Sequence, residues 1–278
     1  MILHEAFVPF RNRLLATALD SVSISIGNPI LSNPSPRSKL GGLPWWPSSK
    51  PYPTAPDGLP LHLLAQINLA ELPNHPNQLP TEGLLQVFLH PTDPNYGLSI
   101  HDRCLQAHWQ VVYHPTTLDA STVRTTFEEL SYDDFVLPFE PRLAFALDFK
   151  AVQKYLNPTD VRFQAFFPEL CYPYEFPDEA LDSLYKTLVG FESQIGGYPV
   201  FIQDDPRLLN PDLPSDGRFQ FESCNTPVLL LQLASETEPR GGHYPLMWGD
   251  VGVANWFIEP EDLAARRFER VFYTWDCS

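Results

Sequence analysis

Ser38-Lys39-Leu40-Gly41-Gly42-Leu43-Pro44 returns later in the chain as Ser193-Gln194-Ile195-Gly196-Gly197-Tyr198-Pro199, and this pair of segments decides the reading of the fold. A glycine pair permits positive φ and close approach of two backbones. The X-Pro step that follows biases the chain toward an extended exit. Working outward, Leu63-Leu64-Ala65-Gln66 returns as Leu229-Leu230-Leu231-Gln232, Gly83–Leu89 as Gly252–Ile258, and Val111-Val112-Tyr113 as Val271-Phe272-Tyr273. The offsets are 196−41=155, 232−66=166, 252−83=169 and 273−113=160. Four blocks in one order at similar spacing predict two related halves, about 38–150 and 190–278, each with one glycine turn and a set of short strands. Paired about a pseudo-twofold axis, they would form one continuous sheet or roll in a single domain over residues 1–278.

The expected class is therefore mainly β with a few short helices. Segments 61–69, 83–89, 107–113, 142–149, 226–233, 252–258 and 270–275 are short, apolar and bounded by Pro, Gly, Asn or Asp, as strands are. Val22, Ile24 and Ile26 alternate with serines, the period of a half-buried strand. Leu14, Leu15, Ala18 and Leu19 share a helical face and predict a helix over 11–20. Asp178 is positioned to cap a helix carrying Leu181, Leu184, Tyr185 and Leu188, with Gly190 as its stop. Pro260 suits a first helical position, with Glu261 and Asp262 at the positive dipole end. The proline-rich stretch 28–60 contains Trp45, Trp46 and Tyr52, whose size favours burial, so it is expected as an ordered loop packed on the core.

Composition limits the partners. Hydrophobic residues make up 44% and aromatics 13%, which excludes global disorder. A net charge of −16 disfavours phosphate backbones and anionic membrane surfaces. The same charge would steer a basic protein partner, or simply keep the chain in solution. There is no stretch of about 18 apolar residues, and Glu5 stands where a secretory signal wants a basic, then apolar start. The expectation is a cytoplasmic protein with Cys104, Cys171, Cys224 and Cys277 reduced. The oligomeric state stays open.

No signature of phosphate-binding loop, dinucleotide fold, zinc protease or nucleophile elbow occurs, so no cofactor is expected. His101, Cys104, His108 and His114 carry metal-ligand chemistry, but their spacing fits no common site, and no metal is expected. Asp212 and Asp216 miss the calcium-loop spacing. Asp133-Asp134 and Asp204-Asp205 with Arg207 are candidates for acid–base work, or for a turn in which Arg207 satisfies a carboxylate. Trp248-Gly249-Asp250 and Trp275-Asp276 offer indoles beside carboxylates, which suits sugars or cationic groups, or else core packing. The candidate groove set is Trp45, Trp46, Gln66, Gln203, Asp204, Asp205, Arg207, Trp248 and Asp250, with Gly41, Gly42, Pro44, Gly196, Gly197 and Pro199 as the structural motif.

The blocks also carry a resemblance. Lys39–Pro44, Leu64-Ala65-Gln66-Ile67-Asn68, Glu71-Leu72-Pro73, Leu79-Pro80 with Gly83–Gln86, Ile195–Pro199, Gln203–Arg207, Trp248–Gly252, Phe257-Ile258, Asp262-Leu263, Phe268 and Tyr273–Asp276 together resemble the YwqG-like family, a bacterial domain-of-unknown-function family. The resemblance runs from about residue 38 to the C-terminus and implies a mainly-β, roll-like fold with an internal duplication. It brings no reaction to carry over. The absence of catalytic motifs and the negative charge favour a non-catalytic protein-binding module, immunity- or antitoxin-like. The alternative is a hydrolase or sugar-acting enzyme using acidic residues in a groove between the halves, and a weaker reading is a small-ligand sensor with Trp45 facing Trp248.

Overall fold

The computed structural model describes residues 3–116, 119–171, 176–207 and 227–278. Asp212, Asp216 and Cys224 lie outside them. Ten strands form one sheet: β1 (Leu19–Ile30), β2 (Lys39–Gly41), β3 (His62–Asn68), β4 (Leu84–Leu89), β5 (Trp109–His114), β6 (Ala144–Lys154), β7 (Gln194–Gly196), β8 (Val228–Ala234), β9 (Val253–Ile258) and β10 (Phe272–Asp276). Their order is β10-β9-β8-β7-β1-β6-β2-β3-β4-β5, with every pair antiparallel. The chain is mainly β, as expected.

The helices are short: α1 (Arg11–Leu15), α2 (Phe163–Phe166), α3 (Asp178–Leu188) and α4 (Pro260–Ala264). The helix expected over 11–20 stops at Leu15, because Leu19 already enters β1. Asp178 is the first helical residue of α3 and Pro177 is its cap. Pro260 opens α4 as expected.

The registers in the two sets of strands correspond. β3 and β4 slip by one residue between Leu63 and Ala65, and β8 and β9 slip between Leu229 and Leu231. The extra residues, Leu64 and Leu230, are both buried in the main core. At the centre, Ile24 pairs with Phe149 and Ile26 with Leu147, on either side of Ser25↔Asp148. β1 also pairs with β7, and β6 with β2, so each long strand joins the short glycine strand of the other set. By strand order the sets run 19–114 and 144–276, each starting earlier than 38–150 and 190–278, because the long strand precedes the glycine turn. One block shifts. Tyr113 pairs with Leu85 and Trp275 with Ala254, so the counterpart of Tyr113 is Trp275, two residues beyond Tyr273. A two-residue slip keeps side chains on the same face, which is why the sequence blocks align acceptably at the wrong offset.

The sheet curls until its edges meet. Trp109 of β5 and Tyr273 of β10 lie with ring centroids 5.1 Å apart. Segment 95–106 rivets the seam. Arg103 O accepts from Tyr273 N at 3.0 Å, while Gln106 accepts from Val111 N at 2.8 Å and donates to Phe268 O at 2.8 Å. Both edges thereby find partners for ladder donors that would otherwise invite another strand. One continuous core fills the inside of the curl.

Candidate functional site

Each glycine turn is held by a buried amide. Gly41, Gly42, Gly196 and Gly197 all adopt positive φ, at 68°, 71°, 67° and 75°. A Cβ on Gly41 would meet Leu143 O at 2.4 Å, so that position excludes any other residue. Beyond the turn, Gln66 Oε1 accepts from Trp45 N at 2.9 Å, and Gln232 Oε1 accepts from Val200 N at 2.8 Å. Gln86 donates to Trp45 O at 3.2 Å, and Asn255 donates to Val200 O at 3.1 Å. Even Lys39 has a counterpart: its buried Nζ donates to Leu43 O at 2.5 Å, and Gln194 donates to Tyr198 O at 2.8 Å. Pro44 and Pro199 are buried within these turns. Residues 39–46 therefore correspond to 194–201 at a constant spacing of 155, the spacing of the two glycine pairs.

That spacing exposes where the halves differ. On the outer face of the first, Trp46, Tyr52 and Phe88 form an aromatic cluster, with Trp46–Tyr52 at 5.7 Å and Tyr52–Phe88 at 6.0 Å. In the second, Phe201 and Phe257 take the places of Trp46 and Phe88, and Arg207 takes that of Tyr52, its guanidinium 5.0 Å from the Phe257 ring. Arg207 belongs to a buried ionic knot made of two Asp-x-Arg turns. In Asp205-Pro206-Arg207, Arg207 N and Nε each donate to Asp205 Oδ1 at 2.9 Å. In Asp160-Val161-Arg162, Arg162 N and Nε donate to Asp160 Oδ1 at 2.9 and 2.7 Å. The turns are cross-tied: Arg207 Nη2 donates to Asp160 Oδ2 at 2.9 Å, and Val161 N donates to Asp205 Oδ2 at 2.8 Å. Burial works against the Asp160 charge, but the Arg162 hydrogen bonds and the Arg207 charge outweigh it and hold that carboxyl below the usual range.

A cleft of about 570 Å³ opens beside this knot. Residues 158–161, 163–164 and 201–205 line it, together with Tyr185, Val189 and Phe191. Tyr185 and Phe191 are half exposed. Asp204 is exposed and has no ion pair among the described residues, and the carboxylates among the described lining residues are Asp160, Asp204 and Asp205. At the cleft's edge Asp276 Oδ2 accepts from Ile202 N at 3.0 Å and Gln203 N at 2.9 Å. Burial raises the Asp276 pKa, and those two backbone bonds offset only part of the rise.

The candidate groove residues fall into three places. Gln203, Asp204 and Asp205 line the cleft, and Arg207 braces it from behind. Gln66 and Trp45 meet in the first turn, and Trp46 is buried in the outer aromatic cluster. Trp248 is fully buried against Tyr96, Trp256 and Trp275, while Asp250 is exposed. The histidine group also separates. His114 is buried against Trp46 and bonds Gln86 at 3.1 Å, whereas His108 pairs with Asp93 at 2.6 Å and stacks on His90. Among the described residues no group of three or more His, Cys, Asp or Glu side chains is arranged to hold a metal, and no helix is long and apolar enough to cross a membrane.

Asp160, Tyr185 and Phe191 also line the cleft, with Arg162 bonded to Asp160 and Asp276, one of the carboxylates expected beside an indole, at its edge. The doubled Asp-x-Arg spacing at 160 and 205 was the available signal for Asp160 and Arg162. Tyr185 was legible only as a helix-face residue, and Phe191 carried no motif.

A search of curated proteins found no match. The family described as "Domain of unknown function (DUF1963)", of which YwqG is a known member, matches residues 38–277, leaving the central strand β1 outside the matched span. With 240 of 278 residues matched (277−38+1), the chain belongs to this family.

Proposed function

We propose that this chain is a cytoplasmic, non-catalytic protein-binding module, immunity- or antitoxin-like, that engages a basic protein partner, and that its halves descend from one duplicated unit. The observation that carries this reading is the state of the carboxylates. Acid–base hydrolysis of the glycosidase type needs two carboxyl groups facing one substrate. Asp205 and Asp160 instead have both oxygens engaged by arginines and backbone amides. That leaves Asp204 on the rim and, at the cleft's edge, Asp276, whose Oδ2 is held by Ile202 N and Gln203 N. A net charge of −16 supports long-range attraction of a cationic surface.

Affinity capture with the full chain at low ionic strength tests the reading. The expected result is a basic protein released as salt is raised, since contacts between exposed charges are screened beyond about 8 Å at physiological ionic strength. Recovery of the bare chain alone, together with turnover of a glycoside or ester substrate panel, would favour the hydrolase.

A further inference from the structure

In the first set of strands a piece of chain covers the outer aromatic cluster. After β5 the backbone passes over the outer aromatic cluster before reaching β6. Ser48 N donates to Thr122 O at 2.8 Å, and Arg124 N donates to Trp46 O at 2.9 Å, a short antiparallel bridge that includes Pro47↔Val123. Arg124 then lies over Tyr52 and Phe127, and Phe127 packs on Tyr52 at 5.6 Å. The counterparts of Trp46, Pro47 and Ser48 at the spacing of 155 are Phe201, Ile202 and Gln203, and all three line the open cleft. Asp276 takes the bond from Gln203 N that Thr122 O takes from Ser48 N. Phe201 O, the counterpart of Trp46 O, accepts no hydrogen bond among the described residues, although Phe201 is only 2% exposed. A buried carbonyl without a donor is uncommon and marks a place for one.

We propose that the cleft at 201–205 receives an extended segment of a partner protein that carries an arginine or lysine, docked as the chain's own segment 122–127 is docked on Trp46–Tyr52. The proposal rests on the binding reading above and assigns it a site. A backbone N–H of the incoming segment would satisfy Phe201 O, the mode in which an added strand gains affinity from main-chain bonds and specificity from side-chain pockets. Its cationic group would meet Asp204, and its apolar neighbours would cover the exposed faces of Tyr185 and Phe191. Among the described lining residues there is no lysine or arginine, and the charged groups are carboxylates.

The probe is an end-blocked peptide copying residues 121–127, Ser-Thr-Val-Arg-Thr-Thr-Phe, labelled with a fluorophore, with a second version carrying a photo-cross-linker in place of its phenylalanine. Saturable anisotropy with half-saturation at or below about 1 mM is expected. Reversing the peptide arginine to glutamate, or Asp204→Lys on the exposed rim of the protein, is expected to weaken binding at least about tenfold. Cross-links are expected at 201–205, Tyr185 or Phe191. Absence of saturation, equal binding by Asp204→Lys, or cross-links at Trp46–Tyr52 would each overturn the assignment. Affinity capture separates this from the wider reading. A basic partner retained equally by wild type and Asp204→Lys defeats the cleft but not the module. No basic partner with either defeats the module itself.

Discussion

Trp109 and Tyr273 stack with ring centroids 5.1 Å apart although they stand on β5 and β10, the opposite edges of a ten-stranded sheet. Tyr273 also stacks on Trp256 at 4.9 Å and donates its hydroxyl to Tyr96 O at 3.1 Å. This seam turns an open sheet into a closed wrap around one core. Tyr273→Ala is expected to cost roughly 3–5 kcal/mol in urea unfolding, the range for truncating a large core aromatic. Tyr273→Phe keeps the ring and should cost only about 1 kcal/mol, the worth of one hydrogen bond.

Lys39 is fully buried and donates to Asn33 O and Leu43 O, with burial lowering its pKa to about 8 from an ordinary 10.5. The unfolded chain therefore holds this proton more tightly than the fold does. Stability should rise with pH between about 8 and 10.5. Lys39→Gln, which installs the residue type used at the counterpart Gln194, should remove that slope and add roughly 2–4 kcal/mol at pH 7. Unfolding midpoints from pH 7 to 10.5 check both statements.

Gln66 makes four hydrogen bonds, to Trp45 N, Gln86 Nε2, Ser35 O and Arg37 O. Among the described residues Gln232 makes two, to Val200 N and Glu192 O. Truncation strands the buried partners, at about 1–3 kcal/mol each where water cannot replace the bond. Gln66→Ala is expected to destabilise more than Gln232→Ala, by at least about 1 kcal/mol in chemical denaturation. Equal losses would mean that the two turns are not held by their amides.

Asp205 accepts from both Nε and Nη2 of Arg207, whose side chain is 1% exposed. Asp205→Asn leaves a buried guanidinium short of countercharge and should cost about 3–5 kcal/mol. The double change Asp205→Asn with Arg207→Tyr, imitating Tyr52 on its counterpart face, should recover part of that loss. A thermal melt of the single and double variants decides it; no recovery would show that the knot cannot be replaced by aromatic packing.

Much of the architecture was legible because it is local. Gly41-Gly42 and Gly196-Gly197 had to be turns, since only glycine tolerates positive φ against a backbone oxygen as close as Leu143 O. Strands such as 84–89 and 253–258 announced themselves by apolar runs between turn residues. The three-residue strands β2 and β7 did not, because they owe their pairing to β6 and β1 and have no pattern of their own. The cleft was half legible: Asp204 and Asp205 stood out by charge and Gln203 by its place in the same block, while Phe191 looked like any other loop aromatic.

By itself the sequence determined the mainly-β class and the positions of the two glycine turns, because backbone sterics and side-chain periodicity act within a few residues. Only the tertiary structure decided that each long strand crosses to the other set, that Asp205 is spent on Arg207 and Val161, and that Phe201–Gln203 line a cleft. Those outcomes depend on hydrogen bonds between groups dozens of residues apart. Their geometry exists only once the curled sheet has brought the chain back on itself.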